Sequence, residues 1–269
     1  MVIDFHTHIF PDKIASRTIE ALSKSASIPP HSNGAKSGLI ESMEKNGIDI
    51  SVNLPVLTRA AQFESIFNFA KDLNEAPYTG AKIISFAGMH PDIEDYERCL
   101  YMIKEAGFKG IKLHPDYQGT FIDDERYVNI LKCAKELDLI TLTHAGLDGA
   151  YIGEPIKCTP TRVARLLDRL GGYDKLVLAH LGANELFDEF YSTLAGCDIF
   201  IDTSYVLSYI PREKFEKILS KHGGDKILFA TDSPWQDQGD MIRILKEFLK
   251  GTKLTEKILY ENSKNLLNI

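Results

Sequence analysis

Eight short apolar stretches, rich in β-branched residues, recur along the chain. They read VIDFH (2–6), IDISVNL (48–54), KIISFAGMH (82–90), KGIKLH (109–114), LITLTH (139–144), KLVLAH (175–180), DIFIDT (198–203) and KILFATD (226–232). Continuous apolar runs, rather than strict alternation, suit strands buried on both faces of a parallel sheet. Between them lie stretches with the 3–4 spacing of amphipathic helices. DIEDYERCLYMIKEA (92–106) opens with an acidic turn and sets Tyr96, Leu100 and Ile103 on one face. DDERYVNILKCAKELD (123–138) does the same with Tyr127, Ile130, Leu131 and Ala134. TPTRVARLLDRLGG (159–172) has Thr-Pro at its start and glycine past its end, and REKFEKILSKHGG (212–224) also stops on glycines.

Strand followed by helix, eight times over, predicts a single-domain (β/α)8 barrel spanning 1–269. A doubly wound open sheet is the alternative, but no G-x-G-x-x-G follows the first strand and no P-loop occurs. SKSASIPPHSNGAKSG (23–38) reads as a surface insertion after the first strand, able to act as a lid. LTEKILYENSKNLLNI (254–269) reads as a closing helix.

Composition narrows the function classes. The chain has 269 residues, 44% of them hydrophobic, and a net charge of −7 with charges interspersed, which disfavours nucleic acid as a partner. No apolar run reaches membrane-span length and no signal-peptide pattern is visible. The four cysteines (Cys99, Cys133, Cys158, Cys197) are scattered without a C-x-x-C pair. A soluble, cytoplasmic protein acting on a small molecule is expected, with a homodimer possible.

The histidines carry the chemical signal. In such a barrel the chemistry sits at the C-terminal ends of the strands. Six of the eight histidines (His6, His8, His90, His114, His144, His180) fall at or just past a predicted strand end. His6 and His8 have strand parity, so both side chains face the barrel mouth and can share one cation. Alone, the pair also fits two surface histidines on an edge strand. Asp232 in FATDSPW ends the eighth strand, which neighbours the first in a closed barrel. It either completes a site with the two histidines or caps the next helix. His144 in TLTHAG and His180 in VLAHLG stand beside small residues that permit close approach. Lys112 and His114 share parity in GIKLHP. Lys112 is a substrate-binding cation or a buried ammonium paired with Asp232 or another carboxylate. His90 and His114 each precede Pro-Asp and either contact substrate or cap the following turn. Trp235 and Tyr117 are candidates for lining the pocket, while Arg162, in a helix-period stretch, reads as a surface arginine.

In order along nearly the whole chain, IDFHTH, GIKLHP, THAG, AHLG, FATDSPW and ILYENSKNLL resemble the amidohydrolase superfamily. The resemblance is to its amidohydrolase 2 branch, which contains the aminocarboxymuconate-semialdehyde decarboxylase type. It implies that His6, His8, His144 and Asp232 bind one divalent metal, with zinc favoured and manganese or iron as alternatives. It also implies catalytic roles for Asp232 and His180, around a metal-activated water. Lys112, His114, His90 and Trp235 are then substrate-binding candidates. A second metal, bridged by a carboxylated Lys112 and ligated by His180, is the less favoured arrangement. The expected activity is hydrolysis of a small amide, ester or lactone. Non-oxidative decarboxylation or hydration of a small carboxylic acid is the alternative, and a catalytically silent metal- or ligand-binding barrel the third.

Overall fold

The computed structural model describes residues 1–78 and 80–269. Nine parallel strands run through it: β1 (Ile3–Thr7), β2 (Ile50–Asn53), β3 (Lys82–Ser85), β4 (Ala87–Gly88), β5 (Gly110–Leu113), β6 (Ile140–Thr143), β7 (Leu176–Leu178), β8 (Phe200–Asp202) and β9 (Ile227–Leu228). β3 and β4 are two halves of one stave, parted only at Phe86, so the strands make eight staves. Their pairing follows chain order, β1-β2-β3 and then β4 through β9. The ring is closed by Phe5 N–H donating to Phe229 O (2.9 Å), Asp232 N–H to His6 O (2.8 Å) and His8 N–H to Ser233 O (2.6 Å). The expected barrel is therefore the observed architecture.

Closure is reinforced by one buried side chain. Asp4 accepts from Thr231 N (3.0 Å), Thr231 Oγ1 (2.6 Å) and Gln238 Nε2 (2.7 Å), tying the first strand to the last and to the helix beyond. Burial pushes its carboxyl up to about 7 despite these donors, because a charge taken out of water is costly even when bonded.

The core has two layers, as the apolar strands require. One cluster fills the barrel interior with Ile3, Phe5, Val52, Phe86, Leu142, Phe200 and Leu228, and Leu266 and Leu267 of the terminal helix plug it. The other lies between strands and helices, built from residues such as Ile111, Leu113, Leu131, Leu166 and Phe215. The helical stretches expected at 92–106, 123–138, 159–172 and 212–224 form helices at Tyr96–Glu105, Glu125–Glu136, Pro160–Leu170 and Arg212–His222. Thr159 caps the third of these through Arg162 N, with Pro160 at its first position and Gly171 in the left-handed conformation at its end.

The expected insertion at 23–38 is only partly a loop. Helix Asp12–Ala26 occupies its first residues and helix Lys36–Asn46 its last. The loop between them sits beside the barrel mouth, where His31 N–H donates to Pro234 O (2.6 Å). Among the described residues, no helix is long and apolar enough to cross a membrane.

Candidate metal centre

Strand alternation alone would not deliver His6 to the mouth. Ile3 and Phe5 belong to the interior cluster, so simple alternation turns His6 outward with Asp4. The register between β1 and β2 shifts between Asp4 and Thr7, giving the first strand one extra residue. Such a bulge re-aims a side chain. It lets Phe5 pack inside while His6 and His8 both reach the mouth, their Nε2 atoms 3.1 Å apart. The parity expected for the pair is correct, but it comes from this irregularity.

Asp232 meets them from the closing strand, its Oδ1 3.4 Å from His6 Nε2 and 3.1 Å from His8 Nε2. Donors bound to one tetrahedral cation at about 2.1 Å lie about 3.4 Å apart. The two imidazole planes cross at 73°, so their in-plane lone pairs can meet at one point. Both outer nitrogens are committed. His6 Nδ1 donates to Asp202 Oδ2 (2.8 Å) and His8 Nδ1 donates to Leu54 O (2.8 Å), which leaves each Nε2 free to bind a cation. Burial pushes His6 well below its ordinary range, and Lys112 adds to the effect. Burial alone would push Asp232 up, but the imidazoles of His6 and His8 outweigh it and hold the carboxyl low. The donor set fits a divalent cation.

Across the mouth, His144 Nδ1 lies 3.0 Å from His180 Nε2, with ring planes at 64°. His180 Nδ1 donates to Ser204 O (3.1 Å), and its main-chain N–H donates to Asp202 Oδ1 (2.9 Å). His144 is not among the donors that converge with His6, His8 and Asp232. Lys112 is buried in the barrel, its Nζ 3.2 Å from His6 Nε2. Burial lowers its ammonium to about 8, partly offset by Asp232, Asp202 and Asp148. His180 and Asp232 both adopt left-handed backbone, at φ 61° and 67°, which is costly for residues with a Cβ. The hydrogen bonds from their main-chain nitrogens hold them there.

His114, His144 and Asp148 also lie close together, with His114 Nε2 3.5 Å from Asp148 Oδ2. They do not make a second centre of the same kind. The His114 and His144 rings are stacked, 4.3 Å between centroids and 10° between planes. Lone pairs in parallel planes cannot both point at one ion.

Other expected residues lie elsewhere. His90 Nδ1 accepts from Asp92 N (3.1 Å), so it caps the turn that follows its strand. Trp235 is half-buried, in a turn where its N–H donates to Asp232 O (2.8 Å). Arg162 binds Asp123 (2.7 Å) and lies over the Phe121 ring. Asp202, not among the expected site residues, stands in FIDTS, which carries the same signal as FATDS, a carboxylate where an apolar strand ends. Asp116 and Asp148, which line the far side of the site, carried no such signal.

The family model described as amidohydrolase matches residues 3–269. No curated protein matches the sequence. Solved structures match over the full chain. The 5-carboxyvanillate decarboxylase of Novosphingobium aromaticivorans, with manganese and 4-hydroxy-3-methoxy-5-nitrobenzoic acid, is 15% identical, with a TM-score of 0.71 over 100% of this chain and 96% of that one. The 2,6-dihydroxybenzoate decarboxylase of Rhizobium is 17% identical, with a TM-score of 0.63 over 99% and 98%. A probable 2-pyrone-4,6-dicarboxylic acid hydrolase of Acinetobacter baumannii is 17% identical, with a TM-score of 0.66 over 100% and 99%. Decarboxylases predominate among these neighbours. The expectation of hydrolysis as the main activity is corrected on that finding.

Proposed function

The chain belongs to the amidohydrolase family, and from that premise we propose that it is a metal-dependent, non-oxidative decarboxylase of a small aromatic carboxylic acid. The observation that carries this is Lys112. Its ammonium is buried, and among the described residues no carboxylate lies within 4.0 Å of it. Its single polar partner is His6 Nε2, an atom also turned toward the cation position. A buried ammonium needs an anion. A substrate carboxylate supplies one, whereas a neutral amide or lactone does not. The named substrates of the neighbouring decarboxylases are carboxylic acids on aromatic rings, which supports the same reading.

His6, His8 and Asp232 would hold the cation, and His144 offers its Nδ1 from across the mouth. Manganese, found in several neighbours, suits this donor set as well as zinc does. When bound, the cation stabilises negative charge that develops on the substrate as carbon dioxide departs. Lys112 draws in and orients the carboxylate. The bond from ring carbon to carboxylate breaks, carbon dioxide leaves, the electron pair stays on the carbon, and a proton taken up from solvent reaches that carbon by way of His180 Nε2, the ring nitrogen not committed to Ser204 O. Asp202 keeps both His6 and the His180 backbone in place. The four unpaired cysteines fit a reducing, cytoplasmic setting.

One observation favours a second arrangement of the same site. His144 Nδ1 and His180 Nε2 converge to 3.0 Å, with the His180 ring 5.5 Å from that of His6, on which Lys112 Nζ rests. A carboxylated Lys112 bridging two cations would use that pair. Two metal equivalents surviving gel filtration, with the added mass of one carbon dioxide on Lys112, would establish it.

The direct test loads the protein with Mn2+ or Zn2+ and measures carbon dioxide release from hydroxybenzoates, including 2,6-dihydroxybenzoate and 5-carboxyvanillate, with and without chelator. Release that chelation abolishes is expected. No release from any aromatic acid, or release indifferent to metal removal, would refute the reading.

A further inference from the structure

Two buried atoms on the far side of His144 have no hydrogen-bond partner: His144 Nε2 and Asp116 Oδ2. They face each other at 3.8 Å, and both side chains are almost fully buried. The Asp116 carboxylate is anchored by its other oxygen, since Oδ1 accepts from Lys157 N (3.2 Å). That segment is itself fastened to the loop after β5, because Ile122 N–H donates to Lys157 O (3.0 Å). The arrangement is a looser version of the one behind His6, where carboxylate and imidazole are hydrogen-bonded at 2.8 Å. There Asp202 Oδ1 is held by the main-chain N–H groups of His180 (2.9 Å) and Ser204 (3.0 Å), while Oδ2 takes the outer proton of the imidazole.

A carboxylate oxygen can only accept, so the pair is satisfied only when the proton of His144 sits on Nε2. The opposite tautomer leaves two buried acceptors facing each other. From this geometry we infer that Asp116 is a positioning residue: it fixes His144 as the Nε2–H tautomer and thereby leaves a bare Nδ1 lone pair at the barrel mouth, beside His180 Nε2 (3.0 Å), available to a cation. The inference rests on the cofactor part of the proposed function and not on the substrate. It assigns a purpose to the His-Pro-Asp run at 114–116, whose His114 stacks on the same ring.

Long-range 1H–15N correlation of the histidine rings in the Zn2+-loaded wild-type protein reads the tautomer directly. His144 protonated at Nε2 is expected, and protonation at Nδ1 would overturn the inference. Asp116→Asn keeps the shape and the Lys157 contact, but its amide nitrogen can donate to Nε2 and favours the wrong tautomer. Its affinity for Mn2+, followed by electron paramagnetic resonance of the free ion, should fall about 10–100-fold. Asp116→Glu should recover part of the loss. Wild-type affinity in Asp116→Asn would mean that Asp116 only ties two loops together. A wild-type protein that binds no Mn2+ would sink this inference and the cofactor assignment together. Intact binding without carbon dioxide release would sink the decarboxylase reading alone.

Discussion

Replacing Lys112 with methionine should stabilise the metal-free protein while removing its activity. Methionine matches the length and volume of the lysine stem and carries no charge. Burial lowers the ammonium from its ordinary 10.5 to about 8 in the folded chain. That difference measures what the fold loses by keeping the charge inside, about 3 kcal/mol at neutral pH. The sign follows from proton counting. Between about 8 and 10.5 the unfolded chain holds more protons on Lys112 than the folded chain does, so wild-type stability rises with pH across that window. Below pH 8 both states are charged and the whole cost remains. Lys112→Met should therefore melt about 6 °C higher than wild type at pH 7, taking roughly 2 °C per kcal/mol for a chain of this size. The advantage should shrink to about 1 kcal/mol at pH 10. Thermal melts followed by circular dichroism in chelator, at both pH values, provide the comparison. A variant less stable than wild type at pH 7, or a difference indifferent to pH, would refute the account of Lys112 as a buried ammonium held in reserve for an anion. In the metal-loaded protein the same substitution should abolish carbon dioxide release yet leave metal content intact.

Asp202→Ala takes the acceptor from His6 Nδ1 and from two main-chain N–H groups at once. Mn2+ affinity should drop about 10–100-fold, and titration calorimetry showing an unchanged constant would contradict the role given to Asp202. His222, far from the site, tests the acid side of stability. Burial lowers it to about 4, so the folded chain binds fewer protons than the unfolded one between about 4 and 6.5. Stability should fall as pH drops through that window, by roughly 2–3 kcal/mol more in wild type than in His222→Asn. Urea titrations at pH 6.5 and pH 4 that show parallel losses would remove His222 as the cause.

The sequence by itself determined the barrel and marked most of the polar side chains that gather at its mouth. Apolar runs long enough for a strand and too continuous for an exposed sheet demand burial on both faces, and eight of them separated by capped helices leave few architectures. Ends of strands are where a backbone ladder stops, so His6, His8, His144, His180 and Asp232 stood out as polar residues closing apolar runs. Tertiary structure decided which of those groups meet. A register shift in β1 puts His6 and Phe5 on the same side, which no periodicity shows, because a bulge is a relation between two strands. It also decided that Lys112 lies unpaired beside His6, that His90 turns away to cap its own loop, and that Asp202 and Asp116 stand behind the imidazoles. Those residues act through contacts between segments 22–196 positions apart or across loops whose course the local sequence does not encode. A tautomer, and with it the direction of a lone pair, is set by whatever the fold places on the other side of the ring.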